Sequence, residues 1–250
     1  GSLAIESSTV SSNSAADAGL NEELLGAGAI ANNAELDAVG SMTVTDSLIA
    51  DNRAGAGRSG AGISNDGAGT VVITDTRFER NRAVGDGGAL FNANGLVTVT
   101  RGTFVENGGK DGGAVSSSGA GHVQIQDSSF TKNVATDWGG GLHNGNTGAA
   151  TVVSSTFTEN AALNGGGFGN EGTGLVTVES STFTKNQALD TATAVGGEGG
   201  GMHSNSGGEV VVTGGSFVEN RALAGGGFSN EGGGVVVMTG TRVASNYAVE

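Results

Sequence analysis

The chain has no cysteine and no proline, a single tryptophan, a single tyrosine, and charge on only 14% of its residues. Without cysteine there is no disulfide framework, and the compartment is left open. Without proline, no proline-rich linker divides the 250 residues, which suffice for one elongated domain. No apolar run is long enough to span a bilayer, and no stretch reads as a signal peptide. Basic residues are scarce, with 11 Lys+Arg against 25 Asp+Glu and a formal charge of −14, which disfavours nucleic acid and anionic membranes as partners. No segment carries a convincing helical period.

What is abundant is glycine, 49 residues, set within a repeat. Phe-x-x-Asn recurs as Phe78/Asn81, Phe104/Asn107, Phe130/Asn133, Phe157/Asn160, Phe183/Asn186 and Phe217/Asn220, with looser copies at Val10/Asn13, Ile49/Asn52 and Val243/Asn246. From Phe78 to Phe183 the anchors step by 26, 26, 27 and 26 residues. Seven and five residues before each anchor sit apolar, mostly β-branched pairs such as Val71/Ile73, Val97/Val99 and Val123/Ile125, the alternation of a strand. After each Asn comes a glycine cluster and one apolar residue (Leu90, Val115, Leu142, Phe168), often followed by a second Asn.

Three short strands in roughly 26 residues cannot bury their apolar side alone, so the repeats must stack. The pattern predicts an all-β, right-handed parallel β-helix of about nine coils, three strands per coil, in a rod about 40 Å long. It is a single domain over 1–250, with insertions at 14–29, 33–41, 53–62 and 189–198. The Phe column should form an internal stack. The Asn column should be a buried ladder at a tight turn, because Asn tolerates left-handed backbone and can bond amides of its own and the next coil. The chain begins almost inside a strand at Leu3 and stops just past the ninth anchor, without a polar cap. That pattern suits a segment of a longer secreted chain, or a subunit that stacks end to end.

The surface offers several candidate sites. Two residues after each anchor the sign alternates: Asp51, Arg80, Glu106, Lys132, Glu159, Lys185, Glu219. Stacked a coil apart, these form an inter-coil charge ladder that fixes register. Three before the anchor stand Asp46, Asp75, Arg101 and Asp127; paired carboxylates there could cleave polysaccharide, although Arg101 between Asp75 and Asp127 suggests another ion-pair stack. Asp86, Asp111, Asn164 and Glu198 hold equivalent turn positions where adjacent coils could share Ca²⁺, or simply be solvated. His143 and His203 share a column with Gly169 between them, roughly 10 Å apart and too far for one zinc; His122 lies elsewhere. Trp138 could stack on a sugar or pack locally. Outward threonines, including Thr43, Thr45, Thr98, Thr100, Thr151 and Thr177, resemble an ice-binding array, broken by Gln124, Gln126 and Glu179.

The coupled motifs Phe78/Asn81 with Gly87-Gly88-Ala89-Leu90 and Phe104/Asn107 with Gly112-Gly113-Ala114-Val115 resemble the repeats of chlamydial polymorphic outer-membrane proteins and related bacterial surface β-helix proteins. The resemblance covers nearly all of the chain. It implies a secreted or surface-displayed adhesin or passenger, although the membrane-barrel domain and cysteines of those proteins are lacking here. The expectation is a non-enzymatic extracellular stalk or head-to-tail fibre subunit that needs no cofactor. Its partners would be itself or a host or cell-surface glycan or protein. A β-helix polysaccharide lyase or glycoside hydrolase is the alternative, and an ice-binding protein the second.

Overall fold

The structure is a computed structural model that describes residues 1–15, 28–32, 40–188, 197–205 and 207–248. Among the described residues every regular element is a short strand and none is a helix. The strands pair parallel to their counterparts in neighbouring coils and build four sheets, three of nine strands and one of eight. The parallel β-helix expected from the repeat is the fold, but each coil carries four strands rather than three. One coil reads Leu96–Thr100, Thr103–Val105, Gly108–Gly109 and Val115–Ser117 before the next begins at His122–Gln126. The extra strand is the two-residue piece directly after the Asn. It turns only one small residue inward (Ala54, Ala135, Ala162, Ala188 or Ala222), too little to leave a period in the sequence.

The core is a set of files along the axis, because in-register parallel pairing places equivalent residues one coil apart. The first sheet contributes Val71, Val97, Val123, Ala150, Val176 and Val210 in one file and Ile73, Val99, Ile125, Val152 and Val178 in a second, all buried. The second sheet contributes the anchors. Phe78, Phe104, Phe130, Phe157, Phe183 and Phe217 are fully buried, and successive rings stack with centroids 4.5 to 4.8 Å apart and planes within 8° of parallel. That separation is the strand spacing itself, so the backbone pairing dictates the ring stacking. Val10 and Ile49 continue the file at one end and Val243 at the other. The fourth sheet closes the core with Leu90, Val115, Leu142, Phe168 and Met202.

Two corners bracket the three-residue second strand, and both use left-handed backbone. Ser129–Thr131, for example, lies between Asp127 (φ 50) and Lys132 (φ 55). The second corner corrects the expectation for the asparagines. Asn81, Asn107, Asn133, Asn160, Asn186 and Asn220 do not hold its left-handed position. The charged residue before each one does: Arg80, Glu106, Lys132, Glu159, Lys185 and Glu219, with φ between 53 and 56. The physical reason is that the Asn is committed through its side chain, which must point inward to reach the coils on either side.

The ladder itself is as expected, and all six asparagines are fully buried. Asn133 Oδ1 accepts from the Asn107 backbone N–H and Nδ2 at 3.0 Å each, and its Nδ2 donates to Phe104 O and Asn160 Oδ1 at 3.0 and 2.9 Å. Asn81 donates through its backbone N–H and Nδ2 to Asn107 Oδ1 at 3.0 Å each, and through Nδ2 to Ile49 O at 2.8 Å. Asn186 donates in the same way to Asn220 Oδ1 at 2.9 and 3.0 Å and to Phe157 O at 2.9 Å. Asn220 passes the pattern on, to Asn246 Oδ1 at 2.9 Å twice and to Phe183 O at 2.8 Å. The side-chain links run unbroken from Asn13 to Asn246. The first corner has its own ladder, unnoticed in the sequence. The Oγ of Ser128, Ser155 and Ser181 accepts the amide of the preceding coil at 3.0 to 3.1 Å while donating to a carbonyl two residues back.

The chain reaches the fourth strand through the glycine cluster. Gly139 takes φ 61, and its equivalents Gly87, Gly112, Gly165, Gly199 and Gly225 lie between 60 and 67. Gly140 passes so close to the third strand of the next coil that a Cβ would sit 2.5 and 2.6 Å from Ala161 O and N. Of the expected insertions, 53–62 starts as the strand Arg53–Ala54 and continues as a loop. Those at 14–29, 33–41 and 189–198 fall mostly on 16–27, 33–39 and 189–196, outside the described residues.

Candidate functional site

One group of titratable side chains gathers on the outer side of the fourth sheet. Along each of its strands the middle residue points away from the core, giving the file Ser64, Phe91, Ser116, His143, Gly169, His203, Ser229. All but Ser229 are nevertheless buried, because the turn leading into each strand folds back over it. A Cβ on Gly199, for instance, would lie 2.7 Å from His203 Cα. The residue before that glycine is Asp86, Asp111, Trp138, Asn164, Glu198 and Ala224 in successive coils. The turn file and the strand file thus lie against each other and place carboxylates beside imidazoles.

The suggested Ca²⁺ ligands share one file, which Trp138 interrupts. Trp138 stands between Asp111 and Asn164, so Asp86 and Asp111 are neighbours at one level and Asn164 and Glu198 at another. Asp111 is already engaged, accepting from Trp138 N at 3.0 Å and from Lys110 Nζ at 2.9 Å. Burial, and then the negative charge of Asp111, pushes the Asp86 carboxyl above the usual carboxylate range; Asp137 is raised by the same two causes in the same order.

Trp138 is half-buried rather than a free platform. Its ring extends over Gly169, which has no side chain to displace it, with Cε3 3.3 Å from where a Cβ would stand. Beyond that gap it meets His203, ring centroids 5.0 Å apart. The two histidines are served separately, each by its own carboxylate: His143 Nε2 lies 3.5 Å from Glu171 Oε2, and His203 Nδ1 3.6 Å from Glu198 Oε2. Its pairing with His143 holds Glu171 below the usual carboxylate range. Ser116 Oγ lies 3.1 Å from His143 Nδ1, and Ser116 is fully buried. His122 stands apart, opening a strand of the first sheet.

The two outer charge columns are ion-pair structures. Arg80 donates to both oxygens of Asp51 at 2.8 and 2.9 Å and also contacts Glu79. Further along, Lys132 pairs with Glu159 at 3.8 Å and Lys185 with Glu219 at 3.7 Å, so the ladder closes in twos, with Glu106 attracting Arg80 at longer range. In the other column Arg101 grips both oxygens of Asp75 at 2.6 Å. That grip lowers the Asp75 pKa, which favours its ionised form, while Asp127 accepts from Gln126. Asp46 lies in the first corner of its own coil, at φ 48. The outward threonines of the first sheet do stack, Thr151 on Thr177 and Thr74 on Thr100, with Gln124 and Gln126 interrupting. On the third sheet, Arg53 and Arg82 with Ser14, Ala54 and Val84 line a pocket of about 510 Å³ that no sequence feature signalled.

Residues 127–145 match the Chlamydia polymorphic membrane protein (Chlamydia_PMP) repeat. They run from the left-handed corner at Asp127 through Phe130, Asn133 and the Gly139 turn to the strand Leu142–Asn144. One coil of the chain, over these residues, is thus similar to that repeat. The polymorphic membrane protein repeat therefore covers the anchor, the ladder Asn and the glycine turn of one coil, and that same coil supplies Trp138 and His143 to the titratable face. No curated protein and no solved structure matches the chain.

Proposed function

We propose that this chain is a non-enzymatic, surface-displayed β-helix: a stiff rod that carries an adhesive or presenting surface outside a bacterial cell. The observation that supports it most is the polymorphic membrane protein repeat at 127–145, set in a solenoid whose other coils repeat the same anchor, ladder and turn. The outward charge columns are consistent with this, since Asp51, Asp75, Glu159 and Glu219 are each paired with an arginine or lysine. The test is protease treatment of intact cells of the source organism, followed by detection with an antibody raised against the purified chain. Loss of the antigen without lysis is expected; full protection overturns surface display. Adhesion is read separately, as saturable binding of the fluorescent chain to candidate host cells and glycan arrays.

A second reading, glycan cleavage, is favoured by one feature. Asp86 and Asp137 lie near Asp111 with raised pKa values, the environment that keeps one carboxyl protonated beside an ionised one. The carboxylates to test are therefore these, not Asp75 and Asp127. Glycan hydrolysis lost in Asp86→Asn or Asp137→Asn would establish it, and no cleavage of acidic or neutral glycans would remove it.

A further inference from the structure

We propose that Glu198, His203 and Glu231 form a binding site for a divalent transition metal of the zinc class, clipping together the last two coils of the fourth sheet. Each residue offers one ligand atom, and these atoms all lie within 4.8 Å of one another. The placement follows from the fold. Glu198 is the turn residue folded over the strand Met202–Asn205, His203 is that strand's outward residue, and Glu231 ends the strand Phe228–Glu231 on the next coil.

A second observation, independent of the carboxylates, points to a ligand. His203 is 2% exposed, yet its Nδ1 has no hydrogen-bond partner. That nitrogen faces Glu198 Oε2 at 3.6 Å, too long for a hydrogen bond and suited to a shared third atom. A tetrahedral ion with bonds of about 2.0–2.2 Å needs ligand atoms roughly 3.4 Å apart. Closing from the present separations requires only small rotations of two glutamate side chains, one of them exposed. Glu198 is held in place by Ser229, whose Oγ donates to Oε2 at 2.9 Å, the second layer of support expected around a metal ligand. Two carboxylates side by side repel, and a dication between them removes that repulsion.

The donor set selects the metal class. One imidazole nitrogen with two carboxylate oxygens suits zinc and its first-row neighbours, whereas Ca²⁺ takes six to eight oxygens. Glu198 thus returns as a ligand, in a different set from the oxygen-only column suggested by sequence.

The test uses the whole chain free of any affinity tag. Trp138 is its only tryptophan, and its ring lies 5.0 Å from that of His203, so a paramagnetic ion at this site quenches its emission. Ni²⁺ titration should give saturable quenching with one ion per chain, reversed by Zn²⁺ and not by Ca²⁺ or Mg²⁺. Glu231→Gln, at an exposed position, should leave the circular dichroism unchanged and weaken binding by about tenfold or more. His203→Gln should abolish quenching, and His143→Gln should leave it intact. Absence of saturable quenching below millimolar Ni²⁺ overturns the site. So do equal affinities in the Glu231→Gln and His203→Gln variants, or displacement by Ca²⁺ as readily as by Zn²⁺.

Discussion

At the scale of single residues, the Asn ladder is the most heavily bonded feature. Each Asn side chain accepts two bonds and donates two, so none of its polar atoms is left over. Asn133→Ala would strand the Asn107 amide and the Phe104 carbonyl in a fully buried place, and should cost about 1–3 kcal/mol for each group left unpaired. Phe130→Ala should cost about 3–5 kcal/mol, because neighbouring rings fixed at 4.6 and 4.5 Å cannot collapse into the gap. Urea unfolding measures both. Lys132 separates conformation from charge. It holds φ 55 and its partner Glu159 is exposed, so Lys132→Gly should be near neutral, relief of left-handed strain offsetting the greater entropy of the unfolded chain. Lys132→Glu should lower the melting temperature, more at low salt than at high. A loss that salt does not change would mean that the column acts through backbone shape alone. The anchor and ladder residues were legible in the sequence because in-register stacking writes the same residue at the same interval. The left-handed corner was not, since Asp, Arg, Glu and Lys share no side-chain signature of positive φ.

At the scale of elements, the turn folded over the fourth strand organises both packing and electrostatics. Gly140 touches backbone on two sides and has nowhere to place a methyl group, so Gly140→Ala should destabilise by about 1–3 kcal/mol or more, whereas Gly207→Ala, with open space around it, should stay within about 0.5 kcal/mol. The same fold-back half-buries Asp86 beside Asp111. A carboxyl whose folded pKa is raised is favoured in its protonated form, so its ionisation at neutral pH costs stability, and that cost disappears as pH falls through the raised value. Asp86→Asn should therefore raise the melting temperature at pH 7, with the gain shrinking in acid and gone below 3.8, the ordinary value of the group. An equal gain at every pH would assign the effect to packing rather than to charge. Sequence spacing could not bring these groups together. Trp138 reaches His203 only because Gly169 leaves a gap between them, and Glu198 meets Glu231 only because the turn lies back over the strand. The spacing does align residues one coil apart, but it carries no sign of which turn covers which side chain.

At the scale of the whole molecule, the ends of the solenoid differ from its middle. The anchors between them are fully buried, but the last coil leaves Val235 60%, Val243 55% and Tyr247 61% exposed, and Leu3 opens the first coil at 44%. The outermost strands, Ser2–Glu6 at one end and Val235–Thr239 at the other, each have a ladder neighbour on one side only. An unpaired edge beside apolar side chains is a template for another strand. By position in the repeat Leu3 and Ile5 match Val236 and Met238, and we propose that, for this chain in isolation, a second copy continues the files. Such contacts would be head-to-tail and would not close, which makes filaments rather than dimers. Sedimentation velocity of the chain should show association that grows with concentration, and electron microscopy should show rods longer than the roughly 40 Å of one chain. Val243→Lys puts a charge on the end of the anchor file at a position already 55% exposed, and should abolish association while lowering the melting temperature of the monomer only slightly. Unaltered association in that variant would move the contact to another surface, and a strictly monomeric chain at high concentration would remove self-stacking altogether.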